Sequence, residues 1–366
     1  MITTTVFPGR YIQGYDALKG LGKEIARLGS RAFFICSPTV YSRILPAIQN
    51  DPGYSVKITA EKFGGECSDE EISRERQIAK KTGCDVIIGM GGGKTLDSAK
   101  AVAYYLKKPV IIVPTIASTD APCSAVSVIH KPTGEMQGPL SLDRNPDVVL
   151  VDTHIVTQAP MRYLVAGMGD ALSKRFEADS CRRKGAPNMT NTGHTGSMTA
   201  YALGDLCYQT LIRDGLAAVK AGLEQKVTPE VERIIEANTL LSGLAFENSG
   251  LAGAHAIEIA FSFSKETHQN LHGEIVGFCT LASLFLTNKD RALIDEVYTF
   301  SRSVKLPTTL ADIGLGKATE NDLLKTAHIV CSPGGLIYNE PVQVDEKAVV
   351  AAIQAADKEG KRRKGK

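Results

Sequence analysis

The 366-residue chain contains no tryptophan and no Cys-x-x-Cys pair, although it has eight cysteines. Single cysteines spread along apolar stretches are typical of reduced packing residues in a cytosolic protein. No stretch approaches the ~20 uninterrupted apolar residues of a membrane span, and no apolar leader segment follows the first residues. We therefore expect a cytoplasmic protein that does not contact a membrane.

The chain also lacks a dominant charge. Lys and Arg number 42 against 40 Asp and Glu, so the net charge is only +2 and a strongly basic nucleic-acid binder is not indicated. With 43% apolar and 22% charged residues, the composition is that of a folded protein rather than a disordered one. One local excess of charge, KEGKRRKGK from Lys358, could form an electrostatic patch, but we expect a frayed and solvated tail.

Alternating β-branched runs and amphipathic stretches in the first 155 residues predict a parallel sheet with crossover helices. The predicted strands are Arg31–Ser37, Tyr54–Ala60, Asp85–Met90, Pro109–Pro114 and Asp147–Asp152. The predicted helices are Leu18–Leu28, Asp69–Lys81 and Thr95–Leu106. A Pro-Thr-Gly turn within Val126–Met136 predicts a β-hairpin excursion from this pattern.

Beyond about Asp152 the pattern changes to Ala- and Leu-rich helical periodicity, with Thr228-Pro229-Glu230 as a clear helix start. We therefore predict two domains. Residues 1–156 would form an α/β dinucleotide-binding domain with a Rossmann-like parallel sheet. Residues 157–366 would form an all-helical domain.

The most informative local pattern is a run of glycines that follows the third predicted strand. The letters IIGMGGGKTLD lead from a buried strand through Gly89, Gly91, Gly92 and Gly93 into a helix. Bare backbone N–H groups at a helix N-terminus favour a phosphate, so the run predicts a pyrophosphate site at the carboxyl edge of the sheet. Neither the P-loop pattern nor GxGxxG is matched, and a tight strand-to-helix turn is the simpler alternative.

A second polar segment, PTIASTDAPCS at residues 114–124, follows the next predicted strand and places hydroxyl groups around Asp120. Because ligands of open α/β sheets bind at this edge, the segment is a candidate wall of the same cleft. Taken alone, it could equally be a polar loop.

Three residues of the helical part form a candidate metal set. Asp170 stands between two glycines and an apolar stretch, His255 lies in an Ala-rich stretch, and His272 precedes a predicted helix start. One carboxylate and two imidazoles can hold Zn²⁺ or Fe²⁺ with positions left open. The alternatives are that Asp170 caps a helix and that the histidines are packing residues.

Several motifs resemble the iron-containing (type III) alcohol dehydrogenase family, and in particular its glycerol dehydrogenases. They are collinear over at least residues 8–355. The motifs are PGRYIQG, FGGEC, GMGGGKTLDSAKA, PTIASTDAPCSA, AGMGDAL, AHAI and LHGEIVGF.

This resemblance implies a dehydroquinate synthase-like architecture and an NAD-dependent oxidation of glycerol to dihydroxyacetone in the cleft between the domains. It implies one divalent metal, zinc rather than iron, on Asp170, His255 and His272, with hydride leaving a metal-bound alkoxide for the nicotinamide. Asp120 would contact the substrate hydroxyls. The positions expected at the nucleotide are Ser37, Gly92, Gly93, Lys94, Thr115, Ser118, Ser124, Val126 and His130.

Three positions depart from the family pattern. Ser37 replaces the usual aspartate at the adenosine ribose, which leaves NADP possible beside NAD. His130 stands where tyrosine is frequent, and Glu258 stands where a second histidine often lines the site. Because of Glu258, a related enzyme that acts on another diol, an amino alcohol or a 2-oxo acid is an alternative function. A sugar-phosphate cyclase is a more distant alternative, since residues 251–263 carry little charge.

The expected partner is a small polyol, with neither nucleic acid nor membrane involved. The resemblance further implies a homo-oligomer, commonly an octamer.

Overall fold

The computed structural model describes residues 2–51 and 56–365. The chain divides into two compact units. One comprises Val6–Pro160 with Gln225–Val227, and the other comprises Met1–Thr5, Met161–Glu224 and Thr228–Lys366. Among the described residues, no helix combines the length and the apolar character that crossing a membrane requires.

The first unit is built on a sheet of six parallel strands. These are β1 (Tyr11–Gly14), β2 (Arg31–Cys36), β3 (Lys57–Lys62), β4 (Val86–Gly91), β5 (Val110–Pro114) and β8 (Val148–Asp152). Their order across the sheet is β1-β8-β5-β4-β2-β3. The helices are α1 (Leu21–Leu28), α2 (Pro38–Arg43), α3 (Leu45–Asn50), α4 (Asp69–Thr82), α5 (Gly93–Leu106) and α6 (Thr153–Gln158).

The predicted α/β class is confirmed, and so is the hairpin, which pairs β6 (Val126–His130) with β7 (Met136–Ser141) in antiparallel register. The strand predicted from Tyr54 is observed as β3, while Tyr54 and Ser55 lie outside the described residues. The sequence prediction missed β1. This strand has only four half-buried residues and pairs with β8 alone, so it carries no long apolar run.

The order of the strands determines where a ligand can bind. The chain leaves β2 for β3 on one side of the sheet and leaves β4 for β5 on the other. The turns that follow β2 and β4 therefore diverge, and a crevice opens between them at the carboxyl edge. Ser37 follows β2, and the glycine run extends from the end of β4 to the first residue of α5.

A buried lysine on α5 attaches the polar loop and the hairpin to the sheet. Nζ of Lys100 donates to the carbonyl oxygens of Ala121 at 2.9 Å and of Val126, and it lies 3.0 Å from Oδ1 of Asp97. The other oxygen of Asp97 accepts the backbone N–H of Val128. Because an unpaired charge is costly in the interior, these contacts hold residues 121–128 in one position.

The second unit is helical, as predicted. Its helices are α7 (Met161–Lys184), α8 (Met198–Leu223), α9 (Pro229–Glu236), α10 (Ser242–Ser249), α11 (Gly253–Ser262), α12 (His272–Leu286), α13 (Arg291–Ser303), α14 (Glu320–Val330) and α15 (Glu346–Lys364). A π-helical turn, Ala237–Leu241, joins α9 to α10. The predicted helix start at Thr228 is confirmed, since its side chain accepts the N–H of Val231.

One alternative and one expectation for this unit are wrong. Asp170 is not a helix cap, because it lies in the interior of α7 rather than at its start. The basic C-terminal segment is not a frayed tail, because α15 continues to Lys364. Hydrogen bonds to Glu359 explain why this segment stays helical. Glu359 accepts them from Arg362 and Arg363 on its own helix and from Arg291 on α13.

We predict that Lys100→Met lowers the free energy of unfolding by about 3–5 kcal/mol, because Asp97 then remains buried without its cation. Urea denaturation would measure the change. Lys80→Met, which removes an exposed lysine from α4, is the matched control and should stay within about 0.5 kcal/mol of the parent protein. Equal stability of both variants would contradict the anchoring role.

Candidate active site

Two glycines allow the helices α7 and α12 to cross in close contact. A Cβ atom added to Gly169 would lie 2.1 Å from the carbonyl oxygen of Gly273, and one added to Gly273 would lie 1.9 Å from that of Ala166. Any side chain at either position would force the helices apart. This crossing places Asp170, which follows Gly169, beside His272, which precedes Gly273.

The crossing assembles the three residues of the candidate metal set. One donor atom from each of Asp170, His255 and His272 lies within 4.8 Å of the other two. Oδ1 of Asp170 is 3.5 Å from Nε2 of His255 and 4.0 Å from Nε2 of His272. Asp170 and His255 are buried, whereas the side chain of His272 is 39% exposed, so the set opens on the His272 side.

Glu177, two helical turns after Asp170, positions His255. Its Oε2 atom is 2.7 Å from Nδ1 of His255. Its Oε1 atom accepts the backbone N–H groups of Ala252 and His255 at the start of α11. One buried carboxylate thus holds both the helix end and the imidazole ring, and it leaves Nε2 facing Asp170.

Glu258 has the same relation to His272. Its Oε1 atom is 2.9 Å from Nδ1 of His272, which again leaves Nε2 on the side of Asp170. A carboxylate behind each histidine is the usual outer-shell arrangement at protein metal sites, where it selects the tautomer and orients the ring. The residue that departs from the family pattern therefore has a defined partner here.

Lys174 brings a positive charge into the same cluster. Its side chain is fully buried, and Nζ lies 2.7 Å from Oδ1 of Asp170 and 3.3 Å from Nε2 of His255. Asp170, Lys174 and Glu177 recur at helical spacing, so all three occupy one face of α7.

These charges determine the protonation of the carboxylates. Burial favours a neutral Asp170, but Lys174 and the two histidines hold the pKa of that carboxyl well below its usual range. Burial likewise raises the pKa of Glu177, but the neighbouring His255 lowers it by more, to about 2. Burial lowers the pKa of His255, whereas Glu177 raises it, to about 9. Both carboxylates are therefore ionised at neutral pH, which is the form that binds a cation.

The glycine run lies at the crevice of the sheet in the other unit. A Cβ atom on Gly91 would lie 2.9 Å from Cβ of Ser37, and one on Gly92 would lie 3.0 Å from Ile116, so packing accounts for these two glycines. At Gly93, the first residue of α5, an added Cβ would meet only Thr119 at an ordinary 3.5 Å. Packing therefore does not explain why this residue is glycine. A ligand that approaches the backbone at this position would explain it.

The polar segment lies beside the glycine run, as its position after the next strand predicted. The N–H of Thr115 donates to the carbonyl oxygen of Gly91. Ser118 and Ser124 are buried, and Val126 begins β6. Asp120 is half-buried and directly precedes a short 3₁₀ helix, Ala121–Cys123.

His130 is the last residue of β6. Nζ of Lys94 is 2.5 Å from Oε1 of Glu66, and burial together with the charge of Lys94 lowers the pKa of His130.

The nine positions expected at the nucleotide all belong to the α/β unit, and the metal set belongs to the helical unit.

Sequence reasoning missed Lys174, Glu177 and Glu66. The spacing of Asp170, Lys174 and Glu177 in DALSKRFE was visible in the sequence as three charged residues on one face of a helix. Glu258 was noted only as a departure, since nothing local connects it with His272.

Comparison with known proteins shows which family the chain resembles. A family profile for iron-containing alcohol dehydrogenases matches residues 8–153. A glycerol dehydrogenase of Thermotoga maritima is 56% identical over 364 residues, covering 100% of this chain and 99% of the relative. The chain belongs to the iron-containing alcohol dehydrogenase family. It is thus an oxidoreductase, and this family implies a nicotinamide dinucleotide and a divalent metal.

Two further relatives are also similar over almost the whole length of the chain. A glycerol dehydrogenase of Citrobacter freundii is 44% identical, with 98% of each chain covered. The crystal structure of a probable glycerol dehydrogenase from Sinorhizobium meliloti is 42% identical and superposes with a TM-score of 0.93, covering 99% of this chain and 100% of that one. The similarity therefore includes both units.

We predict that Glu258→Ala weakens the binding of a divalent metal, tested with zinc, by about 10- to 100-fold, because His272 loses the partner that orients its ring. Glu258→Gln keeps a hydrogen-bond acceptor and should weaken binding less. Competition with a chromophoric chelator measures both affinities. Glu266→Ala removes an exposed carboxylate from the segment between α11 and α12 and serves as the control. Zinc affinity unchanged in Glu258→Ala would contradict the role.

Proposed function

We propose that the chain oxidises glycerol to dihydroxyacetone, with NAD as hydride acceptor and a zinc ion held by Asp170, His255 and His272. The observation that carries this proposal is the convergence of one carboxylate oxygen and two imidazole Nε2 atoms, each imidazole backed by a carboxylate. Relatives named as glycerol dehydrogenases support the choice of substrate.

The donor set suits a divalent ion with open positions, and it is compatible with zinc or ferrous iron. Such an ion supplies a Lewis acid that polarises an alcohol oxygen. We take zinc because the resemblance to glycerol dehydrogenases implies it, and hydride transfer needs only a Lewis acid that keeps its oxidation state. The part of Glu177 and Glu258 is to hold both rings in the orientation that binds it. The open side of the set, at His272, is where we place the substrate.

The nucleotide would bind at the crevice between β2 and β4. The N-terminus of α5 offers its backbone N–H groups, and Gly93 permits a phosphate to approach them. Ser37 stands beside the glycine run without a negative charge, so a 2′-phosphate would meet no repulsion from it. We assign Asp120 to the orientation of the substrate hydroxyls, since its carboxylate lies in the loop next to this crevice.

We predict that His272→Ala and Asp170→Asn lose bound zinc and lower kcat by about a thousandfold or more, because two donors cannot replace three. The assay is reduction of NAD and NADP with glycerol, 1,2-propanediol and 2-hydroxy acids, before and after chelation, with elemental analysis. Asp179→Asn, on the surface of α7, is the control.

Loss of turnover on chelation and its recovery with zinc are the expected results for the parent protein. Zinc content unchanged in both variants would contradict the donor set. A parent protein that holds zinc and oxidises none of the alcohols would contradict the proposed function.

We predict that Ser37→Asp raises the preference for NAD over NADP by about tenfold or more, because a carboxylate repels the 2′-phosphate and accepts hydrogen bonds from the ribose of NAD. The ratio of kcat/KM for the two nucleotides is the measurement. Ser42→Asp places the same charge on an exposed position of α2 and should leave the ratio close to that of the parent. An equal ratio in Ser37→Asp would place the adenosine ribose elsewhere.

A further inference from the structure

Lys174 places an ammonium group, which cannot ligate a metal ion, inside the described metal cluster. It is 1% exposed and lies one helical turn after Asp170. Its ammonium is 2.7 Å from Oδ1 of Asp170 and 3.3 Å from Nε2 of His255. These are two of the three atoms that the proposed zinc ion would bind.

The position of the ammonium has a direct electrostatic consequence. An ion close enough to bind both atoms would lie against Nζ, which is itself within 3.3 Å of each. Salt and water screen such a repulsion poorly in the interior, where the effective dielectric constant is low. The ammonium and the metal therefore cannot both keep their best positions at Asp170.

We infer that Lys174 is a positioning residue that binds Asp170 in the absence of metal, with its ammonium beside His255, and that it competes with the metal for this site. Metal binding then requires the ammonium to turn away from both atoms. This inference rests on the metal site of the proposed function.

The charges of the cluster explain how the site accommodates both cations. Asp170, Glu177 and Glu258 carry three negative charges when ionised. A divalent ion and the ammonium of Lys174 carry three positive ones. The ammonium can therefore stay inside the loaded site after it turns, because the total charge of the cluster would be close to zero. An apolar residue at position 174 would leave an excess negative charge around the metal and strengthen its binding.

The test compares the zinc affinity of the chelator-stripped protein with that of Lys174→Met, by competition with a chromophoric chelator. Lys174→Met keeps the length of the side chain and removes the charge. We expect zinc to bind this variant about tenfold or more tightly than the parent. A lysine with a purely structural role would produce the opposite sign, because its removal would loosen the donor set. Lys184→Met, at the exposed end of α7, controls for the loss of a positive charge from the helix.

Equal or weaker zinc binding by Lys174→Met, with the parent binding zinc, overturns this inference and leaves the proposed metal site intact. Failure of both proteins to bind zinc overturns the metal site, and this inference with it.

Crystal structures of the parent protein, stripped and zinc-loaded, give a second readout that needs no variant. We expect Nζ of Lys174 to leave Oδ1 of Asp170 and Nε2 of His255 in the loaded form. Zinc bound by all three residues while Nζ stays in contact with both atoms would overturn the competition.

Discussion

Asp170 carries its negative charge where water scarcely reaches, and the helical site is arranged around that charge. A lone carboxylate in such a place would take up a proton. Lys174, His255 and His272 prevent this by surrounding it with positive charge. Each histidine in turn needs an anion, and Glu177 and Glu258 provide one apiece. The outcome is that Asp170 and Glu177 remain ionised in the interior.

Such a cluster forms only if its helices approach closely, and the glycines of α7 and α12 make that approach possible. Gly169 and Gly273 meet where any Cβ atom would collide with a backbone carbonyl. The start of α11 is held by buried carboxylates as well, since Glu340 accepts the N–H of Gly253 and Glu177 accepts those of Ala252 and His255. Backbone packing and side-chain electrostatics thus bring the same three segments together.

In the α/β unit, the order of the strands plays the corresponding part. Opposite crossovers after β2 and β4 open the sheet edge at Ser37 and the glycine run. Lys100 on α5 then anchors the neighbouring polar loop by donating hydrogen bonds to carbonyl oxygens at its end. Packing against neighbouring side chains explains why residues 91 and 92 are glycines, but it does not explain Gly93. The constraint at Gly93 is therefore one that a bound ligand would impose.

Local pattern was sufficient for much of this protein. Hydrophobic periodicity predicted five strands, the hairpin and the helical second half, because these depend on contacts close in sequence. It failed for β1, which only its pairing with β8 stabilises, and for the C-terminal segment, which the ion pairs of Glu359 order. The motifs were enough to select Asp170, His255 and His272 as a candidate set.

What only the tertiary structure decided is how those residues are paired. Glu258 and His272 are fourteen positions apart on different helices, and Lys174 meets His255 across eighty-one residues. No periodicity connects such pairs, because helix crossings and not the chain bring them together. The sequence therefore determined which chemical groups are present, and the fold determined that a buried lysine stands at the position a metal ion would share.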